Sequence, residues 1–315
     1  MNNKQELIKS QQEKKNQLNA MPIGGFMNTQ AIKNRITSMM GSDRGLRFIT
    51  GVTSAVNTNP ALSECTNESI FNGALLGETL NLSPSPQLGQ YYLVPYKKYK
   101  KGTKELESVT AQFQLGYKGY IQLAIRSGQY KKINVIEVRE GEFIDCDIFN
   151  EEYHFNPIKN YDERKKSPVI GYYAMFEYLS GFKKSIYMTK EEMLDHADTY
   201  SSAFNKNAYA DLMNGKIAEK DMWKYSSFWY KNFDEMAKKT MLRQLISKWG
   251  IMSTEMQKAF ESDMAEIKDN GTPEYIDNQV EDILVQENIQ EATYHEEQEP
   301  LQSDEEVKKV SIDEL

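Results

Sequence analysis

The sequence predicts an α+β protein: a largely antiparallel β-sheet with helices packed against it, an N-terminal helical segment, a long C-terminal helix and a disordered acidic tail. Three observations carry this. Helical spacing dominates residues 28–80 and returns after 189, whereas 91–188 hold successive strand-like runs with one short helix among them. Hydrophobic residues make up 39% of the 315, enough for a core. The formal charge of −8 is unevenly spread: residues 1–270 hold 36 Lys and Arg against 32 Asp and Glu, and residues 271–315 hold 2 against 14. A mildly basic body carries a strongly acidic tail, so the bulk acidity does not argue against a nucleic-acid partner.

Each element follows from a local signal. Residues 1–25 read as a polar extension closed by Met21-Pro22-Ile23-Gly24-Gly25. Helices are expected at 30–40, 43–56 and 65–80, with a turn at Asn57-Thr58-Asn59-Pro60 and a cap region around Ser63. After the Leu82–Pro86 loop come strands at 91–97, 107–115, 133–139, 143–155 with a break, 169–179 and 183–188; Pro95 marks the first as an edge strand or bulge. Between the second and third lies a short helix from Tyr117. Its apolar set, Tyr117, Tyr120, Ile121, Ala124 and Ile125, falls on one face, and Lys118, Gln122 and Arg126 step along another. Gly128 stands where a left-handed cap is needed. Thr189 and Glu192 form a capping box that opens a helix over 189–198. A long helix over 221–248 carries Trp229, Phe233, Ala237, Met241 and Leu245 as its core row. Residues 26–270 are therefore read as one core. Residues 271–315 are read as an acidic disordered tail, suited to partner docking through Val307–Leu315 or to autoregulation.

Several chemistries lack their residues. Cys65 and Cys146 suggest no disulfide framework, and no apolar run reaches membrane-spanning length, so a bacterial cytoplasmic location is expected. His154, His196 and His295 are scattered, and no Gly-rich nucleotide loop or H-E-x-x-H motif occurs. Neither ATP use nor any other cofactor is expected. The enzymatic alternative is a metal-dependent nuclease, built from Asp145, Asp147 and the Glu163-Arg164-Lys165 fragment. A solvated loop and a polar outward strand face explain the same carboxylates. A third reading is an acidic-tailed adaptor that binds only proteins.

The cations point elsewhere. Lys97, Lys98, Lys100 and Lys101 alternate with Tyr96 and Tyr99, a pattern suited to phosphate neutralisation beside stacking rings, or to a solvated hairpin turn. Lys118 and Arg126 have no acid four residues away, and Ser127, Lys131 and Lys132 follow at once. Lys238 and Lys239 have Asp234 and Glu235 at helical spacing, so intrahelical pairing competes with an anion-binding role. Arg243 has no such partner and reads as the strongest anion contact of this helix. Lys183 and Lys184, and Arg44 and Arg47, are weaker candidates.

Ordered stretches of the chain resemble the RecT family of phage and prophage single-strand annealing recombinases. They are Leu75-Leu76-Gly77 to Leu82, Tyr92-Leu93-Val94-Pro95-Tyr96, Gly116-Tyr117-Lys118-Gly119, Ala124-Ile125-Arg126-Ser127-Gly128, Val138-Arg139-Glu140-Gly141, Met188-Thr189-Lys190-Glu191-Glu192 and Phe233 to Thr240. The resemblance implies a protein that coats single-stranded DNA without ATP, pairs it with a complement to give annealed duplex, and assembles into homo-oligomeric rings or helical filaments. It implies a phage exonuclease and a host single-strand binding protein as partners, with Mg2+ only as a modulator of binding or assembly. It carries DNA contact onto Lys118, Arg126, Ser127, Lys238, Lys239 and Arg243.

Overall fold

The computed structural model describes residues 16–99, 105–201 and 203–274, with residues 9 and 13. All of these belong to one compact unit, Met1–Ile276. Lys100, Lys101 and the acidic tail beyond 274 lie outside the described residues, so the expectations placed on them stay with the sequence.

The N-terminal third is helical. It comprises α1 (Ile23–Met27), α2 (Gln30–Met40), α3 (Ser42–Thr58), a 3-10 turn (Pro60–Glu64) and α4 (Asn67–Thr79). The polar extension is tied to this layer, because the Asn67 amide donates to the carbonyls of Leu18 and Met21 at 2.8 and 2.7 Å. Most residues of α4 are buried, and its N-terminal end meets strand β2 through the Thr66 N–H and the Ser69 hydroxyl.

Among the described residues every strand pairing is antiparallel, but the strands form three sheets rather than one. The first joins β1 (Tyr91–Tyr99), β2 (Leu106–Leu115), β8 (Ala265–Ile267) and β9 (Pro273–Glu274), in that order. Pro95 sits on its edge strand, where a missing N–H breaks no ladder. The second joins β3 (Tyr130–Arg139), β6 (Val169–Tyr178) and β7 (Lys183–Thr189), and the third is the hairpin β4 (Phe143–Asp147) and β5 (Glu152–Phe155). Helix α5 (Tyr117–Arg126) carries the chain out of the first sheet after β2, so β3 finds its partner in β6 instead.

The remaining helices are α6 (Tyr161–Lys166), α7 (Lys190–Tyr200), α8 (Lys206–Met213), α9 (Phe228–Lys231), α10 (Phe233–Trp249) and α11 (Thr254–Ser262). The capping box of α7 has both halves in place. The helix expected over 221–248 is corrected to three pieces: a 3-10 segment (Glu219–Tyr225), α9 and α10. Asn232 leaves helical geometry at φ −140° and ψ 55°. There the rings of Trp229, Tyr230 and Phe233 gather around Phe204, a gain in packing that outweighs helix continuity. The row Trp229, Phe233, Ala237, Met241 and Leu245 is buried throughout, although it crosses the break. Helix α10 packs against α5 and all three strands of the second sheet, linking the two halves of the core.

Candidate nucleic-acid interface

Helix α5 forms where expected, and Gly128 takes the left-handed conformation at φ +70° after its last turn. Its buried stripe is rotated from the expected one. Tyr120, Leu123 and Ala124 are buried, whereas Ile125 is 55% exposed. The entry to α5 depends on two glycines. A Cβ on Gly116 or Gly119 would drive into the carbonyl oxygens of Gly89 and Gln90, so only glycine lets the Ser85–Gln90 loop close on the helix start. The Gly116 N–H donates to the Gln90 carbonyl at 2.9 Å, which seals that contact.

Lys118 and Gln122 project from the open side of α5 and are exposed. The Lys118 stem passes Gly89, and its ammonium lies 5.9 Å from the Tyr117 ring centre. Among the described residues no carboxylate comes within ion-pair distance of Lys118. Beside it, Tyr92 packs on Phe228 at 5.9 Å. Tyr92 and Tyr117 are both raised above the usual phenol range, first by burial and then by Glu235. They stay neutral and present rings next to a free cation.

Other residues predicted to meet DNA have partners within the protein. Arg126 donates to the carbonyls of Leu80 and Asn81 at 2.7 and 3.3 Å, satisfying groups at the C-terminal end of α4. Ser127 turns its hydroxyl onto the Ala124 carbonyl. Lys238 lies over the Tyr117 ring and pairs with Glu235 at 2.7 Å and Glu137 at 3.4 Å. Lys239 and Arg243 converge on Asp263, a carboxylate with no exposed surface, at 2.9 and 3.0 Å. Asp263 also accepts from the Leu115 N–H and the Tyr120 hydroxyl. Burial alone would raise the Asp263 carboxyl, but Lys239 and Arg243 hold it below the usual range. Arg243, which has no acid at helical spacing, finds its partner in the segment that follows α11. Lys184 pairs with Glu151 and covers the Trp249 ring at 4.1 Å, and Lys98 reaches Glu274 at 3.4 Å.

A second open cationic surface lies on the three-stranded sheet. Lys132, Glu177 and Lys183 are cross-strand neighbours on β3, β6 and β7, and Lys131 reaches Glu177 at 2.7 Å. Three exposed lysines thus surround one carboxylate, leaving two positive charges in excess. They hold Glu177 below the usual carboxylate range, Lys131 foremost. Lys97 is exposed on the edge strand β1. The sequence marked Lys131 with Lys132 and Lys183 with Lys184 as separate pairs; their convergence on Glu177 depends on strand register and could not be read from spacing.

The carboxylates considered for a metal do not converge. Asp145 pairs with His154 at 2.7 Å, Asp147 closes the β4–β5 turn, and Glu163 lies on α6, beside the Arg164 that binds Glu142 at 2.6 Å. Among the described residues no group of three or more His, Cys, Asp or Glu is placed to hold a metal ion. Nor is any described helix long and apolar enough to cross a membrane.

Comparison with known proteins places the chain in a class. A model of the RecT family matches residues 46–276. The chain is 35% identical over 254 residues to "Uncharacterized protein YqaK" of Bacillus subtilis (strain 168), covering 80% of this chain and 74% of the relative. It is 28% identical over 248 residues to "Protein RecT" of Escherichia coli (strain K12), covering 76% and 80%. The chain belongs to the RecT family, whose members act in DNA recombination by single-strand annealing.

Proposed function

We propose that this protein binds single-stranded DNA through its phosphate backbone, oligomerises on it, and pairs it with a complementary strand in phage homologous recombination. The observation that carries this reading is the open side of α5, where Lys118 and Gln122 stand free beside the Tyr92 and Tyr117 rings. The Lys131, Lys132 and Lys183 group supplies further positive charge. Annealing two polyanions requires suppressing their repulsion while leaving base edges free. Lysines that hold phosphates position a strand without reading its sequence. No bond is made or broken, so neither ATP nor a catalytic constellation is needed, and Mg2+ acts only on binding or assembly. A phage exonuclease that generates single strands and a host single-strand binding protein are the partners this activity calls for.

The test is a salt titration of oligonucleotide binding. Each backbone contact removed by Lys118→Ala, Lys132→Ala or Lys183→Ala should lower the log–log slope by about 0.7. These side chains are exposed, so thermal stability should hold. An unchanged slope in the triple variant would remove both surfaces from the DNA path. Metal-dependent cleavage of the oligonucleotide by pure protein would replace annealing with nuclease chemistry.

A further inference from the structure

Lysines alone cannot select single strands over duplex. Duplex DNA carries the denser charge and offers the same phosphates to the same ammonium groups. What a single strand adds is the open face of an unpaired base. A half-exposed ring beside open cations is therefore the feature that could make the choice.

Phe182 is such a ring. It closes the turn between β6 and β7 and is 49% exposed. It stacks on Tyr178 at 5.8 Å, with 21° between the planes, and meets Phe176 at 6.1 Å. Tyr178 is itself fixed, because its hydroxyl donates to the Trp249 carbonyl at 2.9 Å and accepts from the Ile251 N–H. The turn is braced as well. The Tyr178 N–H donates to the Phe182 carbonyl at 2.9 Å, and the Leu179 N–H to the Gln129 carbonyl at 3.1 Å. With Tyr178 on one face and half the side chain in solvent, the ring presents its other face outward.

Charge selects what lies on that face. Lys183 follows Phe182 directly, and Lys131, Lys132 and Lys183 surround the single carboxylate of Glu177. The other exposed rings lack this setting. Phe149 stands among Asp145, Asp147 and Glu152, and Tyr161 precedes Asp162 and Glu163. Trp223 lies in a segment whose two lysines and two acids cancel. Trp249 is already covered by Lys184 at 4.1 Å, and Tyr200 packs on His196 at 4.5 Å. An open aromatic face beside excess positive charge suits a polyanion that brings rings of its own, which is a strand of unpaired nucleotides.

We propose that Phe182 stacks on an unpaired base of the bound strand while Lys132 and Lys183 hold the phosphates beside it. This ring then favours single strands over duplex. A phenyl face has no hydrogen-bonding group, so it reads no sequence and leaves the pairing edge of the base open to a complement. The inference rests on the proposed DNA binding and names what, beyond charge, selects the strand.

Binding of a short natural oligonucleotide, an abasic strand of equal length and a duplex tests it. The abasic strand keeps every phosphate and lacks the bases. Phe182→Leu keeps an apolar side chain over Tyr178, and its melting temperature checks that the turn still folds. It should weaken binding of the natural strand by about fivefold or more. Affinity for the abasic strand and the duplex should stay within about twofold, and the log–log salt slope should not change. Phe182→Trp, which keeps a ring, should bind the natural strand as the parent does. Parent-like binding by Phe182→Leu would overturn the proposal and leave the ring to a protein partner. An equal loss on natural and abasic strands would overturn it too, and so would a parent chain that holds those two strands equally well. A parent chain that bound no oligonucleotide at low salt would instead fail the functional proposal itself.

Discussion

Asp263 is the residue on which the interior charge balance turns. It has no exposed surface, and its two oxygens receive Lys239, Arg243, the Tyr120 hydroxyl and the Leu115 N–H. Removing its charge would leave Lys239 buried without a counter-ion. Asp263→Asn should therefore cost about 3–5 kcal/mol of stability, measured by urea unfolding at neutral pH. A loss below about 1 kcal/mol would show that the lysine finds water or another partner. The folded carboxyl lies below its unfolded value, so its contribution is complete above that value, near ~3.9, and is lost as pH falls through the folded one. Parent stability should thus drop at acid pH more steeply than that of the Asn variant. Arg243 shows what sequence spacing can reveal. Its lack of an acid at i±4 was legible; a partner 20 residues on, brought back by the chain reversal after α11, was not.

At the scale of elements, α5 and the loop packed on it decide where Lys118 points. Gly119→Ala places a methyl group against the Gln90 carbonyl, a backbone atom that cannot swing away. We expect a loss of about 1–3 kcal/mol in thermal or chemical unfolding, together with weaker oligonucleotide binding as the helix start is pushed out. Gly128→Ala meets no such clash and strains only the local backbone, so it should keep α5 in place and bind DNA normally. Elements with a complete local signal were readable in advance: the α7 capping box, the glycine end of α5, the edge strand at Pro95. The long helix over 221–248 was misread because the i+4 apolar row persists across Asn232, and a periodic row does not report a backbone break. Strands β8 and β9 are three and two residues long, too short to leave a pattern.

For the whole molecule, the split of charge matters more than its sum. Residues 277–315 hold 13 Asp and Glu against 2 Lys, while the body keeps a small excess of cations. Glu274 pairs with Lys98 and Lys268, so a clean truncation falls after Ile276 rather than at 271. Removing 277–315 should tighten single-strand binding at low ionic strength, with the difference fading as salt rises. Equal affinities at all salt concentrations would leave partner docking as the tail's role. The mixed α+β class was evident from the order of helical and strand-like runs. Which cations stay open to solvent was not, because burial and cross-strand register settle it.

The most direct measurement is the rate at which two complementary oligonucleotides join when the purified protein is added in EDTA without ATP. If open lysines such as Lys118 hold one strand by its phosphates and leave its bases free, joining should be faster than the spontaneous rate, and the gain should shrink as salt rises. A rate no different from that of the naked strands in dilute buffer would contradict it.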